Sequence, residues 1–225
     1  MSLKAEAERR FWIGVCEEMA HQMGTPLSAL MGWLDILPSL QDQNAARIEM
    51  NRNLERLQQV SERLSQIGVP SGFEPVYLKD LLAQLSNYAT KRMSRGENAQ
   101  RIHLELRGNP VAQANPVLLP WALENFIKGS LDAVRDASGP ITLRAYERKA
   151  RVFVEIEVHG EQDPVSLLET NASSSGRTKP DYRAASLAIG KHIICEIHGG
   201  RVVVKKNIGG RGGVIIIRLN RAQPS

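Results

Sequence analysis

The sequence predicts an α+β protein in two parts, an N-terminal helical hairpin followed by an α/β sandwich. Three observations predict it. Over the first third of the chain, apolar residues recur at helical spacing on both sides of a polar, proline-containing turn. Beyond it, short strands of alternating character take turns with helical stretches. The change of pattern falls at "GVPSGFEP", rich in the residues that punctuate elements. The expected domains are residues 1–69 and 70–225.

The first helix is expected from about Ala5 to Leu37, with Phe11, Val15, Met19, Met23, Leu27, Leu30, Leu34 and Leu37 along one face. Pro38 and the polar "PSLQDQN" stop it. A second helix, about Ala45 to Ile67, carries Ile48, Met50, Leu54, Leu57, Val60, Leu64 and Ile67. Helices joined by so short a turn pack antiparallel. Both stripes are wider than one hairpin covers, so a homodimer closing a four-helix bundle is expected.

In the second part, "PVYL" reads as a short strand, "KDLLAQLSNYATKRM" as a helix, "RIHLELRG" as a strand and "NPVLLPWALENFIKGSLDAVRDA" as a helix. "ITLRAYER" and "RVFVEIEVHG" alternate strictly about a polar "KA", which makes a hairpin. The polar stretch from about Glu161 to Arg183 reads as a long loop. "AASLAIGKHIICEIHGG" is a helix stopped by two glycines, and "RVVVKKNIGGRGGVIIIRLN" a closing hairpin. Helices beside a mostly antiparallel sheet make a sandwich.

Composition removes several classes of function. At 42% hydrophobic and 24% charged, the chain has the make-up of a globular protein with a proper core. Cys16 and Cys195 have no paired spacing, which argues against a disulfide framework or a zinc site and for a reducing compartment. No apolar run reaches about 18 residues, and "MSLKAEAERRF" is not a signal peptide. The expectation is a cytoplasmic chain without direct membrane contact, standing alone or forming the cytoplasmic portion of a membrane-bound sensor. The net charge is +5, but the basic residues are scattered ("ERR", "TKRMSR", "VKKN", "GRGG") and no basic run has aromatics interleaved, so no nucleic-acid partner is expected.

The first helix contains one anomaly. His21, Gly24, Thr25 and Pro26 fall within six residues of an otherwise regular apolar pattern. Pro26 has no N–H, and its ring crowds the carbonyl of Gln22, a cost of about 3 kcal/mol in a helix interior. Gly24 adds local freedom. A purely structural helix gains nothing from either, which draws attention to His21.

"HQMGTPLSALMGWLDIL" resembles the phosphoacceptor motif of bacterial sensor histidine kinases, and the order of hairpin, lobe and terminal "HGG" turn extends that resemblance over nearly the whole chain. The resemblance implies that His21 accepts the phosphoryl group. Gln22 stands where the family usually has an acidic residue that orients the imidazole, and Thr25 and Pro26 match its Thr-Pro. Gln22 and Thr25 would also position water for dephosphorylation of the partner, which the resemblance makes a response regulator receiver domain. Imidazole suits this role, being a competent nucleophile near neutral pH without a strong base.

The nucleotide features of the family are incomplete. Its paired asparagines, which help hold magnesium and phosphate, correspond to Asn125 and Gly129, with Lys128 between them; glycine offers no ligand atom. His159 or Gly160 falls where an adenine-reading aspartate belongs, and Asp163 comes later. Ala184 and Ser186 replace glycines of a phosphate turn, while Thr178 and Lys179 keep a family-like place in the lid. No metal or cofactor is expected with assurance; ATP and Mg2+ would be held only if this degenerate lobe still functions, through Asn125, Lys128, Asp163 and Lys179. The expected function is histidine-phosphotransferase-like, with a phosphoryl group on His21 exchanged with a receiver aspartate. An ATP-dependent autokinase and a non-catalytic dimeric pseudokinase module are the alternatives.

Overall fold

The computed structural model describes residues 3–40, 43–68, 72–93, 102–133, 140–159, 182–207 and 212–223. The chain divides into two compact units, Met1–Val69 and Pro70–Ser225.

The first unit is a hairpin of α1 (Leu3–Ile36) and α2 (Asn44–Gly68), linked through a 3-10 turn at Leu37–Ser39. Pro38 opens that turn, and Ser39 Oγ donates to the Ile36 carbonyl at 2.7 Å, satisfying one of the groups a helix end leaves unpaired. α1 runs uninterrupted through Gly24 and Pro26. In α2 the buried positions are Ala46, Asn53, Val60 and Ile67, a strict seven-residue repeat. This is the seam of a left-handed helix pair. It is narrower than the apolar stripe in the sequence, so Ile48, Leu54 and Leu64 stay exposed, as do Leu27, Met31 (66%) and Leu34 (56%) on α1.

The second unit holds β1 (Glu74–Tyr77), α3 (Leu78–Met93), β2 (Ile102–Arg107), β3 (Val111–Ala114), α4 (Leu118–Ala133), β4 (Ile141–Arg148), β5 (Arg151–Val158), α5 (Tyr182–His192), a π-helical segment Ile193–Ile197, β6 (Arg201–Lys206) and β7 (Gly213–Asn220). Five strands form one sheet in the order β2-β4-β5-β7-β6, antiparallel except for the parallel β2–β4 pair. The architecture is the α+β sandwich the sequence predicts. Ile141, Leu143 and Ala145 of β4, Val152, Val154, Ile156 and Val158 of β5, and Ile215, Ile217 and Leu219 of β7 are buried in the core. α3 and α4 pack on the sheet, and α5 packs on α4, with Trp121 and Phe126 of α4 fully buried.

Three details depart from the element order expected above. β3 pairs with β1 as a separate two-stranded sheet, a strand that "VAQA" conceals because alanine and glutamine carry little β-propensity. α4 begins at Leu118, with Asn115 as its cap: the Asn115 Oδ1 accepts from the N–H groups of Val117 and Leu118, each at 2.9 Å. The last predicted helix ends at His192 and widens into the π-helical segment. On the outer face of the sheet, Arg144 pairs with Glu105 (2.6 Å) and Glu157, and Tyr146 Oη donates to Glu155 (2.7 Å). Burial, then that bond, push Tyr146 up to about 12, so its hydroxyl stays a donor. Among the described residues no helix is long and apolar enough to cross a membrane.

Candidate functional site

His21 is exposed on α1. One turn on, Thr25 is exposed too and Pro26 is buried. Helical geometry puts His21 and Thr25 on one face. Gln22 is turned elsewhere: its amide nitrogen donates to the carboxylate of buried Glu18, and its Oε1 accepts from Arg63 of α2 at 3.3 Å. Gln22, read from the resemblance as standing in place of an acidic residue, is thus committed to a bridge across the hairpin. Glu18 and Arg63 were not among the residues read from the sequence. Glu18 stands four residues before Gln22 and could have been found by helical spacing; Arg63, 41 residues away, carries no such signal.

In the second unit the predicted nucleotide residues have a different character. Asn125 is fully buried, and neither its Oδ1 nor its Nδ2 has a hydrogen-bond partner among the described residues. One turn later, a Cβ at Gly129 would lie 2.8 Å from Leu187 Cδ2 and 3.1 Å from its Cγ. At Gly190 of α5 a Cβ would lie 3.1 Å from the Phe126 ring and 3.2 Å from the Ala122 carbonyl oxygen. Two glycines, one on each helix, therefore let α4 and α5 pack at contact distance. Lys128 is paired with Glu124 at 3.0 Å across a helical turn. Ser186 is buried, and half-exposed His159 sits 3.6 Å from Glu157. Gly160, Asp163, Thr178, Lys179 and the side chain of Ala184 lie outside the described residues. Among the described residues no group of three or more His, Cys, Asp or Glu could hold a metal ion.

The histidine of the "HGG" turn has a structural task. His198 Nε2 accepts from the Asn115 N–H at 3.0 Å, and its Nδ1–H donates to the Ile193 carbonyl at 2.8 Å. The ring is buried and meets Phe73 edge-on. It joins the cap of α4 to the π-helical segment. Burial lowers its pKa and outweighs the opposing effect of the Ile193 bond, so the neutral ring is favoured.

Solved structures share this fold. The catalytic domain of histidine kinase ThkA matches 67% of this chain over 98% of its own length, at TM-score 0.55 and 19% identity. The fold is that of histidine kinases. Full-length ShkA, solved in complex with AMPPNP, matches 93% of the chain over 46% of its own length at TM-score 0.59 and 19% identity. A bacterial phosphotransferase matches 96% of the chain and 97% of itself at TM-score 0.52 and 14% identity. No family model and no curated protein matches the sequence. The histidine-kinase-like fold therefore rests on geometry, at identities that carry the architecture and leave the chemistry to the residues.

Proposed function

We propose that this chain is a two-component phosphotransfer protein: His21 carries a phosphoryl group and exchanges it with an aspartate of a response regulator receiver domain, the chain acting as a homodimer through its hairpin. In the forward step the receiver carboxylate attacks phosphorus, the P–O bond forms as the N–P bond breaks, and the imidazole leaves with the electron pair of that bond. A phosphoramidate is reactive enough for this transfer, and the open face shared by His21 and Thr25 leaves room for a partner to approach. The exposed Leu27, Met31, Leu34, Leu54 and Leu64 support the dimer, because they form an apolar surface that one hairpin leaves in water.

The observation that carries the choice of transfer over autophosphorylation is the contact of Gly129 with Leu187. A triphosphate and its magnesium need oxygen ligands and open space along α4 and α5. Here the second ligand position is a glycine pressed against a leucine side chain, Asn125 is in the core, and Lys128 is engaged by Glu124. These residues do not fit ATP and magnesium, and the proposed reaction needs neither in this chain. Gln22 and Arg63 hold the two helices together beside His21, and Thr25 is the polar side chain left to meet the water that hydrolyses the receiver's acyl phosphate.

The test is to incubate the chain with labelled ATP and, separately, with a phosphorylated receiver domain. Label is expected on His21 from the receiver and not from ATP, and His21→Ala is expected to abolish labelling without changing the unfolding midpoint, since an exposed side chain carries little packing energy. Labelling from ATP alone would replace this reading with that of an autokinase.

A further inference from the structure

The outer face of the five-stranded sheet, opposite the core, has its charge sorted by position. Register partners share a face of a sheet. The pairing therefore puts Arg201, Arg218, Phe153, Tyr146 and Arg107 in one row across β6, β7, β5, β4 and β2. Arg148 and Arg151, opposite each other, lie in the next row toward the turn. Neither row contains an acidic residue. The carboxylates of this face, Glu105, Glu155 and Glu157, all lie in the rows on the other side, where Arg144 and the Tyr146 hydroxyl engage them. Arg148 and Arg201 have no ion-pair partner among the described residues, and Arg107 attracts Glu105 only from beyond ion-pair distance.

Tyr146 and Phe153 stand at the middle of the arginine row with ring centroids 5.2 Å apart and planes 10° from parallel. That separation is close to the spacing of neighbouring strands, about 4.8 Å, so the rings stand side by side across β4 and β5 and the other face of Tyr146 looks toward β2. There an open concavity of about 420 Å³ is lined by Glu105, Arg107, Arg144, Ala145, Tyr146 and Glu155. Its size is in the range of ligand clefts.

We propose that this face binds single-stranded nucleic acid, with a base entering between the Tyr146 ring and the Arg107 guanidinium while Arg148, Arg151, Arg201 and Arg218 meet the phosphates. Unpaired arginines call for a polyanion, and guanidinium suits phosphate because its planar fork can bind two oxygens and stack. The ring decides between polyanions. An acidic protein surface would answer the arginines and leave the ring-walled concavity without a purpose, whereas unpaired bases stack on aromatic side chains set in an open sheet. The residues of this face all belong to the second unit, and the proposal does not depend on phosphotransfer.

The experiment is fluorescence anisotropy of the full chain with labelled oligouridylate and, in a second arm, oligothymidylate, at low and moderate salt. Binding is expected in at least one arm, and the tighter arm tells whether RNA or DNA is preferred. Tyr146→Leu, which keeps the apolar body and removes the stacking plane, is expected to weaken it by roughly five-fold or more. Arg107→Gln with Arg201→Gln is expected to weaken it and to lower the salt slope by about 0.7 for each phosphate that is no longer neutralised. These arginines are exposed and the substitutions should leave the unfolding midpoint and His21 labelling unchanged. Absence of binding to both oligonucleotides at low salt would overturn the proposal. So would unchanged affinity in Tyr146→Leu, or displacement of the oligonucleotide by polyglutamate at equal charge, which would point to an acidic protein instead.

Discussion

Gly24 in the hairpin and Gly129 in the lobe both stand inside a continuous helix, yet in opposite surroundings. A Cβ at Gly24 would meet nothing within 4 Å, whereas one at Gly129 would press on Leu187 at 2.8 Å. The same contrast runs through the two units. In the hairpin, Gly24 and Thr25 are exposed beside His21 while Pro26 is buried; in the lobe, Asn125 lies in the core and Lys128 is engaged by Glu124. Gly24 places no packing demand on its surroundings, whereas Gly129 gives two helices a closer approach.

The largest effect that would break this contrast concerns the hairpin surface. Leu34→Glu combined with Leu54→Glu is expected to convert a dimer into a monomer in sedimentation at micromolar concentration, because both side chains are exposed in the single chain and need a partner to leave water. An unchanged mass would mean that the apolar surface serves something other than self-association. Next comes the lobe. Gly129→Asn supplies the side chain that the resemblance expects there but overpacks the contact with Leu187, and is expected to lower stability by about 1–3 kcal/mol in urea titrations. Adding Leu187→Ala should recover part of that stability, since the two positions touch and their effects are not additive. If Gly129→Asn alone were neutral, the close packing of α4 on α5 would have no energetic weight.

Acid gives a smaller and more specific effect. His198 has a lowered pKa in the folded chain, so the unfolded chain binds its proton first. Its contribution to stability is complete above about pH 6.5, the ordinary histidine value, and is lost progressively as the pH falls below it. Protonation at Nε2 would set a donor against the Asn115 N–H. The unfolding midpoint should fall between pH 7.5 and pH 5.5, and His198→Gln should flatten that dependence. The smallest effect sharpens the comparison from the hairpin side. Gly24→Ala is expected to raise stability by about 0.5–1 kcal/mol, because a helix interior prefers alanine and the added methyl meets no neighbour; it should slow His21 labelling only if the glycine is needed for access.

How much of this was legible in the sequence depended on the range of the interaction. Helical spacing and strict alternation are local, so the hairpin, the β4–β5 pair and the closing β6–β7 pair are legible in the sequence. His21 could be singled out because the proline and glycine beside it are local as well. The width of the buried seam could not be read, since apolar side chains on a helix do not say which of them a second helix will cover; Asn53 is buried where Leu54 is exposed. In the sequence Gly129 shows only the lack of a ligand atom, because its packing role depends on Leu187, more than fifty positions away. The arginine row was hidden for the same reason. It takes one residue from each of several strands, and no stretch of the chain contains it.

The parallel β2–β4 pair has a consequence for the order of folding. Antiparallel neighbours such as β4 and β5 are joined by a two-residue turn at Lys149 and Ala150 and can meet early. A parallel pair requires a crossover, and here β3 and α4 lie between its two strands, so β2 gains its place only once that intervening chain has been laid against the sheet. It is also an edge strand, bonded along one side. The lobe should therefore assemble around β4, β5 and β7 and add β2 late, and the amide protons of β2 should be the first of the five strands to exchange with solvent.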